Sequence, residues 1–313
     1  MAVELLSCAR SPAVDGIVLL DKPEGWTSHA AVQRVKYLFG ARKAGHTGTL
    51  DPLATGLLVV CLGEATKFAD YLLTSAKRYD AIVRLGVRTT TGDREGEALE
   101  RRPVECTLEQ IEEVLAAFRG QITQLPPMHS AVKLAGQPLY RYARKGLEVA
   151  RVPRTVAIHE LRLLQREGDL LRIVVNCGKG TYIRVLAEDI GQTLGCGASL
   201  DGLRRVAVGD LTLAEAATLP RLEGRELGQR REWLRSVDSM LTRLPKLSLD
   251  SPSAERIAQG GRITGFGPCG PGEVRLYDLQ ERFLGVGEVS EEAVLAPRRM
   301  MSRVSSPASS FSA

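Results

Sequence analysis

The stretch AGHTGTLDPLATGLLVVCLGEATK, Ala44 to Lys67, joins a loop of glycine and threonine around one carboxylate, Asp51, to the apolar run Leu57 to Leu62. A run of that length bounded by Gly63 reads as a buried strand and falls far short of the roughly 18 residues of a membrane span. Asp51 therefore sits on a loop feeding a buried strand, a placement that suits a functional loop on a rigid scaffold. Its chemistry stays open locally. No second acid and no cysteine pair is close, and His46 is the one histidine of the stretch. An aspartate capping an Asp-Pro turn through its own backbone is the plain reading. A phosphoryl-accepting aspartate would need magnesium and companion acids, where this loop offers threonines and glycines.

Outward from this stretch the elements alternate irregularly. Gly16 to Leu20 reads as a strand, followed by a Lys-Pro turn and a helix begun by Thr27 or Ser28, with Val32, Val35 and Phe39 on one face and Gly40 as its stop. After the apolar run, EATKFADYLLTSA predicts one helix with Phe68, Ala69, Leu72 and Leu73 sharing a face. Arg78 to Asp93 alternates Ala81, Val83, Leu85 and Val87 inward as a half-buried strand. Thr107 and Gln110 form a capping-box pattern before Ile111, Val114, Leu115 and Phe118, with Gly120 as the stop. The segment LLRIVVNCGKGTYIRVLAEDIGQTLG reads strand, glycine turn, then a helix carrying Ile183, Leu186, Ile190 and Leu194. Such an order argues α+β rather than a doubly wound sheet. Near Leu244 to Pro252 the pattern shifts to Pro, Ser and Gly, a domain boundary. Beyond it, Val274 to Tyr277 and Phe283 to Val286 predict a hairpin of a small β domain, and the serine-rich end predicts a disordered tail.

The bulk numbers agree with a folded protein of roughly two domains at about 150 residues each. The chain has 313 residues, 44% of them hydrophobic and 25% charged, an ordinary globular composition. Its N-terminus carries an early acid and no continuous apolar segment, so no signal peptide is expected and a cytoplasmic location is the default. Six scattered cysteines without a CxxC pair, and four histidines without HExxH, point to reduced core thiols and no metal site.

Charge is unevenly placed. The net charge is +5, and the segment Lys133 to Arg154 alone carries Lys133, Arg141, Arg144, Lys145, Arg151 and Arg154 against Glu148, 6 − 1 = +5. The remainder is neutral. With Tyr140 and Tyr142 interleaved, this segment has the composition that neutralises phosphates and stacks on bases, although charge runs are more often solvated helix faces. It follows a Pro126-Pro127 turn as an insertion. The stretch NCGKGTYIR, Asn176 to Arg184, fails as a phosphate loop because Gly180 follows Lys179. A surface arginine at a helix start would be slightly disfavoured by the dipole, so Arg184 is a candidate site residue.

The motifs GHTGTLDPLATGLL, GEATK, KRYDA, PPMHSAVK, CGKGTYIR and LRRVAVG, in this order and spacing, resemble the TruB family of bacterial tRNA pseudouridine-55 synthases over Gly16 to Met301. The resemblance implies a pseudouridine synthase catalytic domain over residues 10–245, with a mixed, largely antiparallel sheet, flanking helices and an RNA-clamping insertion at about 125–155. It further implies a PUA-like RNA-binding domain at 246–301, ahead of the tail at 302–313. The implied activity isomerises uridine 55 in the T-loop of tRNA after base flipping, without cofactor or metal, by a monomer. The implied nucleophile is Asp51, acting on the uracil ring, on the ribose, or by starting glycal formation. Arg184 is implied as its ion-pair partner; a buried carboxylate needs an opposite charge, and breaking such a pair costs about 3–5 kcal/mol. Tyr79 is implied to stack on the flipped base, Tyr182 and Leu203 to line its pocket, and His46 to fill the space the base leaves. The six cations of the insertion are implied to contact the RNA backbone. Lys22 and Lys67 match family lysines but are explained as structure. Two departures stand out: Thr49 where many members have Ala, and His129 where a tyrosine is usual. A noncatalytic tRNA-binding or folding chaperone using the same clamp is the alternative.

Overall fold

The computed structural model of the chain describes residues 14–130 and 132–302. The start of the expected catalytic domain, 10–13, and the expected tail beyond Ser302 lie outside the described residues.

The nearly buried GIVLLDK forms β1 (Gly16–Lys22). Thr27 caps α1 (Ser28–Phe39) by accepting from the Ala30 N–H, and Gly40 closes it at φ +63, a left-handed conformation that a side chain would resist. β2 (Ala44–His46) and β3 (Thr55–Leu62) bracket the Asp51 loop. The expected helix after β3 is instead a 3-10 segment, Gly63–Phe68, followed by the short α2 (Ala69–Leu73). The tighter 3-10 pitch breaks the helical phase, so Phe68 and Leu72 are buried while Leu73 is exposed.

β4 (Lys77–Leu85) buries Ala81, Val83 and Leu85 as its alternation predicts. It ends there, because Gly86 turns at φ +76 and Val87 starts β5 (Val87–Thr89), which pairs with β6 (Ala98–Arg101) in a separate hairpin. The capping box of α3 (Leu108–Ala117) is fully formed. Gly120, expected as the helix stop, opens β7 (Gly120–Gln124) instead. The insertion holds β8 (Lys133–Leu134), β9 (Gln137–Pro138) and α4 (Leu139–Ala143). A long hairpin of β10 (Arg154–Glu167) and β11 (Leu170–Cys177) leads to α5 (Ile183–Thr193) and β12 (Ala198–Val208). Short elements follow: β13 (Leu211–Thr212), β14 (Ala217–Thr218), α6 (Leu219–Glu223), α7 (Leu227–Arg230) and β15 (Leu234–Arg235).

The main sheet runs β14-β1-β3-β12-β4-β11-β10-β7, with β2, β13 and β15 as side pairings. Within it only β1 with β14 and β3 with β12 are parallel, so the sheet is mixed and largely antiparallel. One face packs α1, α3 and α5 over a core that includes Val35, Phe39, Val83, Ile111, Leu115, Leu186 and Ile190. On the other face, β1 and β3 bury Ile17, Leu19, Leu57 and Val59 in a second core with Phe68 and Leu72, and half-buried charges of the central strands pair with one another, as in Arg84–Asp201 at 2.9 Å and Arg204–Asp21 at 2.7 Å.

A second sheet of β16 (Lys246–Leu249), β17 (Gly272–Asp278), β18 (Phe283–Val289) and β19 (Leu295–Met300) carries α8 (Ser251–Ala258) and its own small core. The expected hairpin is β17 with β18. Phe283 meets Phe68 edge-on at 5.6 Å, and Lys67 donates to the Met300 carbonyl at 3.3 Å, which accounts for Lys67 as a structural residue. The architecture is thus the α+β arrangement with a small C-terminal β domain. No described helix is long and apolar enough to cross a membrane.

Candidate active site

The parallel pairing of β3 with β12 sets Thr55 and Gly56 opposite Arg204 and Arg205. Gly56, at φ +95, has no room for a Cβ, which would lie 2.3 Å from the Arg205 carbonyl. β12 also pairs with β4, Leu203 facing Ala81 and Arg205 facing Tyr79, and β11 pairs with β4, Cys177 facing Lys77. Three distant segments therefore converge: the Asp51 loop, the start of β4, and the turn from β11 into α5. Between them lies a cavity of about 260 Å³ lined by Asp51, Tyr79, Tyr182, Arg184, Leu203 and Arg205, among others.

The Asp51 loop is pinned at several points. The Ser28 hydroxyl donates to the Leu50 carbonyl and accepts from the Leu50 N–H, both at 2.8 Å. Lys22, fully buried, donates to the carbonyls of Pro23, Trp26 and Pro52 at 2.9, 2.7 and 3.3 Å, and its burial lowers its pKa to about 8. Its role as structure is consistent with these contacts, one of which is made to the residue following Asp51. Arg205 donates to the Gly48 and Thr49 carbonyls at 3.0 and 3.3 Å and to Leu57 at 2.7 Å. The Thr49 contact is through the backbone, so a threonine in place of alanine leaves it intact.

Arg184 lies in the first turn of α5 yet is only 4% exposed. Its Nε is 3.0 Å from Asp51 Oδ2 and 3.6 Å from Asp93 Oδ2, and its terminal nitrogens donate to the carbonyls of Thr91 and His129, each at 2.9 Å. Two carboxylates offset both its desolvation and the unfavourable helix dipole. Asp51 itself keeps 37% of its side chain exposed, on the cavity wall. Asp93 is the member that sequence reasoning missed; it is buried, and its Oδ1 accepts from the Thr91 hydroxyl and the Glu95 N–H. The His129 contact is made by its carbonyl, so the missing tyrosine side chain leaves the ion pair untouched.

Tyr79 is buried at the cavity floor, and burial raises its pKa while the Arg205 charge opposes the rise. Burial also raises Tyr182, whose backbone is clamped by Gln124: the Tyr182 N–H donates to Oε1 at 3.0 Å and the Gln124 amide donates to the Tyr182 carbonyl at 3.2 Å. Leu203 lines the wall as expected. His46 is not among the lining residues. It ties the loop, its Nδ1 accepting from the Gly48 N–H at 3.2 Å, and burial first, then the Arg205 and His29 charges, lower its pKa.

The insertion begins at the cavity rim with His129 and Ser130. Lys133, Arg141, Arg144, Lys145 and Arg154 are exposed, and Arg144 stacks on Tyr140 at 5.4 Å. Arg151 is different. It donates to the Pro126 carbonyl at 3.2 Å and pairs with Glu148 at 3.1 Å, tying the ends of the insertion together. Among the described residues no group of three or more His, Cys, Asp or Glu side chains could hold a metal.

Known proteins resemble this chain along most of its length. The TruB family pseudouridylate synthase N-terminal domain matches residues 36–183, the tRNA pseudouridylate synthase B C-terminal domain 184–242, and the TruB pseudouridine synthase II C-terminal part 245–301. The tRNA pseudouridine synthase B of Stutzerimonas stutzeri is 51% identical over 292 residues, covering 92% of this chain and 96% of its own length. That of Nitrosospira multiformis is 49% identical over 299 residues with the same coverage. Among solved structures, an H/ACA RNP bound to a substrate RNA containing 2'-deoxyuridine is similar with a TM-score of 0.68 and 25% identity, over 92% of this chain and 86% of that one. A Cbf5-Nop10-Gar1 complex gives 0.67 and 28%, over 88% and 78%.

Proposed function

The chain belongs to the TruB family of pseudouridylate synthases, and from that premise we propose that it isomerises uridine 55 in the T-loop of tRNA to pseudouridine. In this reaction the N1–C1′ bond breaks, the base turns, and a C5–C1′ bond forms. C5 loses a proton and N1 gains one, so product and substrate have the same composition. The observation that carries the assignment is the 3.0 Å contact of Arg184 with Asp51 at the wall of a cavity floored by Tyr79. Asp51 is the nucleophile, aimed by Arg184. Flipping the uridine out of its stack costs a few kcal/mol, which the Tyr79 ring offsets by stacking on it, with Tyr182 and Leu203 closing the pocket. His46 fills the space the base vacates, with its ring held to the loop by the Gly48 N–H.

Lys133, Arg141, Arg144, Lys145 and Arg154 contact the T-arm backbone, where shape and phosphates dominate recognition; Arg151 braces the clamp. We assign residues 10–245 to catalysis, with the clamp at about 125–155, and 246–301 to a PUA-like domain on the acceptor-stem side. The protein works as a cytoplasmic monomer. A purely tRNA-folding role is the weaker reading, because desolvating Arg184 against two carboxylates costs several kcal/mol per ion and serves nothing in a protein that only grips RNA.

The test is to incubate the purified chain with an unmodified tRNA transcript and map pseudouridine by carbodiimide primer extension, with Asp51→Ala in parallel. A stop at the T-loop uridine that is lost in the variant is expected. Tight tRNA binding without any stop would replace the enzyme by the chaperone.

A further inference from the structure

Two neighbouring arginines of β12 meet opposite fates. Arg204 lies on the charged outer face and pairs with Asp21. Arg205 points inward, is 2% exposed, and heads the largest fully buried side chains of the described residues. Its three bonds go to peptide carbonyls, and among the described residues it forms no ion pair. A guanidinium has five N–H donors, so two remain beyond the Gly48, Thr49 and Leu57 acceptors. The group lines the reaction cavity together with Tyr79, its direct cross-strand partner in the β12–β4 register, and its charge opposes the rise of the Tyr79 pKa that burial causes.

A buried cation without a carboxylate is expensive. A fold that needed only to close β3 against β12 could do so with an apolar side chain. What an apolar side chain could not do is hold the Gly48 and Thr49 carbonyls from within the cavity wall. Those two residues have no strand or helix of their own, and they precede Asp51 by three and two positions.

We propose that Arg205 is a positioning residue for the isomerisation: one guanidinium fixes the loop that carries Asp51 and aims the Tyr79 hydroxyl, so nucleophile and stacking ring keep a common register. This rests on the assigned activity. The planar fork is essential to it, since a lysine keeps the charge but cannot serve three carbonyls spread over Gly48, Thr49 and Leu57 and a hydroxyl together.

The experiment compares the native chain, Arg205→Lys, Tyr79→Phe and the double variant in single-turnover pseudouridine formation on a T-arm RNA, with RNA affinity and melting temperature measured alongside. Arg205→Lys is expected to slow the single turnover by about 30-fold or more while the RNA Kd stays within about 3-fold, the signature of an interaction needed in the transition state. With Tyr79→Phe the losses should be clearly less than multiplicative, because the two side chains act as one unit. Losses that multiply, or rate, affinity and melting temperature falling in step, would make Arg205 a brace of the fold alone. If Arg205→Lys does not fold at the assay temperature, Arg205→Gln enters the same cycle, and the same two outcomes decide. An inactive native chain would overturn the assigned activity and this inference with it; an active native chain with multiplicative losses overturns only this inference.

Discussion

The Asp51 loop and the basic insertion border the same cavity, but they are held in opposite ways. Over Gly48 to Pro52 the loop is tied by Ser28, Lys22, His46 and Arg205, and its carboxylate is aimed by a buried arginine. In the insertion, Leu139 is the only buried residue between 132 and 155, and beyond the Arg184 bond to His129 at its start the side-chain ties are those of Arg151 to Pro126 and Glu148 and a Tyr142 hydroxyl bond to Leu134 at 3.3 Å. Chemistry requires a geometry fixed to within a fraction of an ångström, whereas phosphate contacts act through charge and tolerate adjustment. The first region should therefore control turnover and the second affinity.

The sharpest attempt to break this division is Asp51→Asn, which should abolish product while leaving RNA affinity within about 3-fold; near-normal turnover would remove Asp51 as nucleophile. Next in size is Asp93→Asn. Arg184 keeps Asp51 but is deprived of its second carboxylate, so turnover should fall about 10-fold, equivalent to ~1.4 kcal/mol, with a lower melting temperature. Unchanged values for both would make Asp93 irrelevant to the aim of Arg184. On the other side, Arg141→Gln with Lys145→Gln should weaken tRNA binding and lower the salt slope by about 1.4–1.8, at roughly 0.7–0.9 for each phosphate no longer neutralised. Turnover at saturating RNA should hold; an unaltered slope would leave the segment a solvated surface.

The smallest effect concerns His46. Its folded pKa lies below the ordinary 6.5, so the unfolded chain binds more protons in the window beneath that value. Its contribution is complete above pH 6.5 and is lost as pH falls through the folded value. Protonation also ends its acceptance from the Gly48 N–H. Melting temperature and turnover should decline together below about pH 6.5, and His46→Gln, which retains an acceptor that does not titrate, should flatten that decline. The same pH profile in the variant would assign the decline to another group.

Local patterns carried much of the fold. Thr27 and Gly40 mark the ends of α1, the Thr107 and Gln110 pair marks the start of α3, and the alternation of Ala81, Val83 and Leu85 marks β4, because each feature depends on residues within a few positions of one another. The helix expected after β3 failed for the complementary reason: its propensity was adequate, but tertiary packing selected a 3-10 turn. The motifs led to Asp51, Tyr79, Tyr182, Arg184 and Leu203, all of which line one cavity.

What the sequence determined by itself was thus the set of local elements and, through long motifs, the family and its chemistry. The tertiary structure alone decided that Asp93 shares Arg184, that Arg205 rather than Arg204 turns inward, that His46 holds the Gly48 N–H, and that Arg151 is spent on closing the insertion. These outcomes follow from strand register between segments nearly 150 residues apart, such as Gly56 against Arg205. A shift of one residue would exchange the inward and outward side chains of β12, and no local periodicity records which of two adjacent arginines the core will accept.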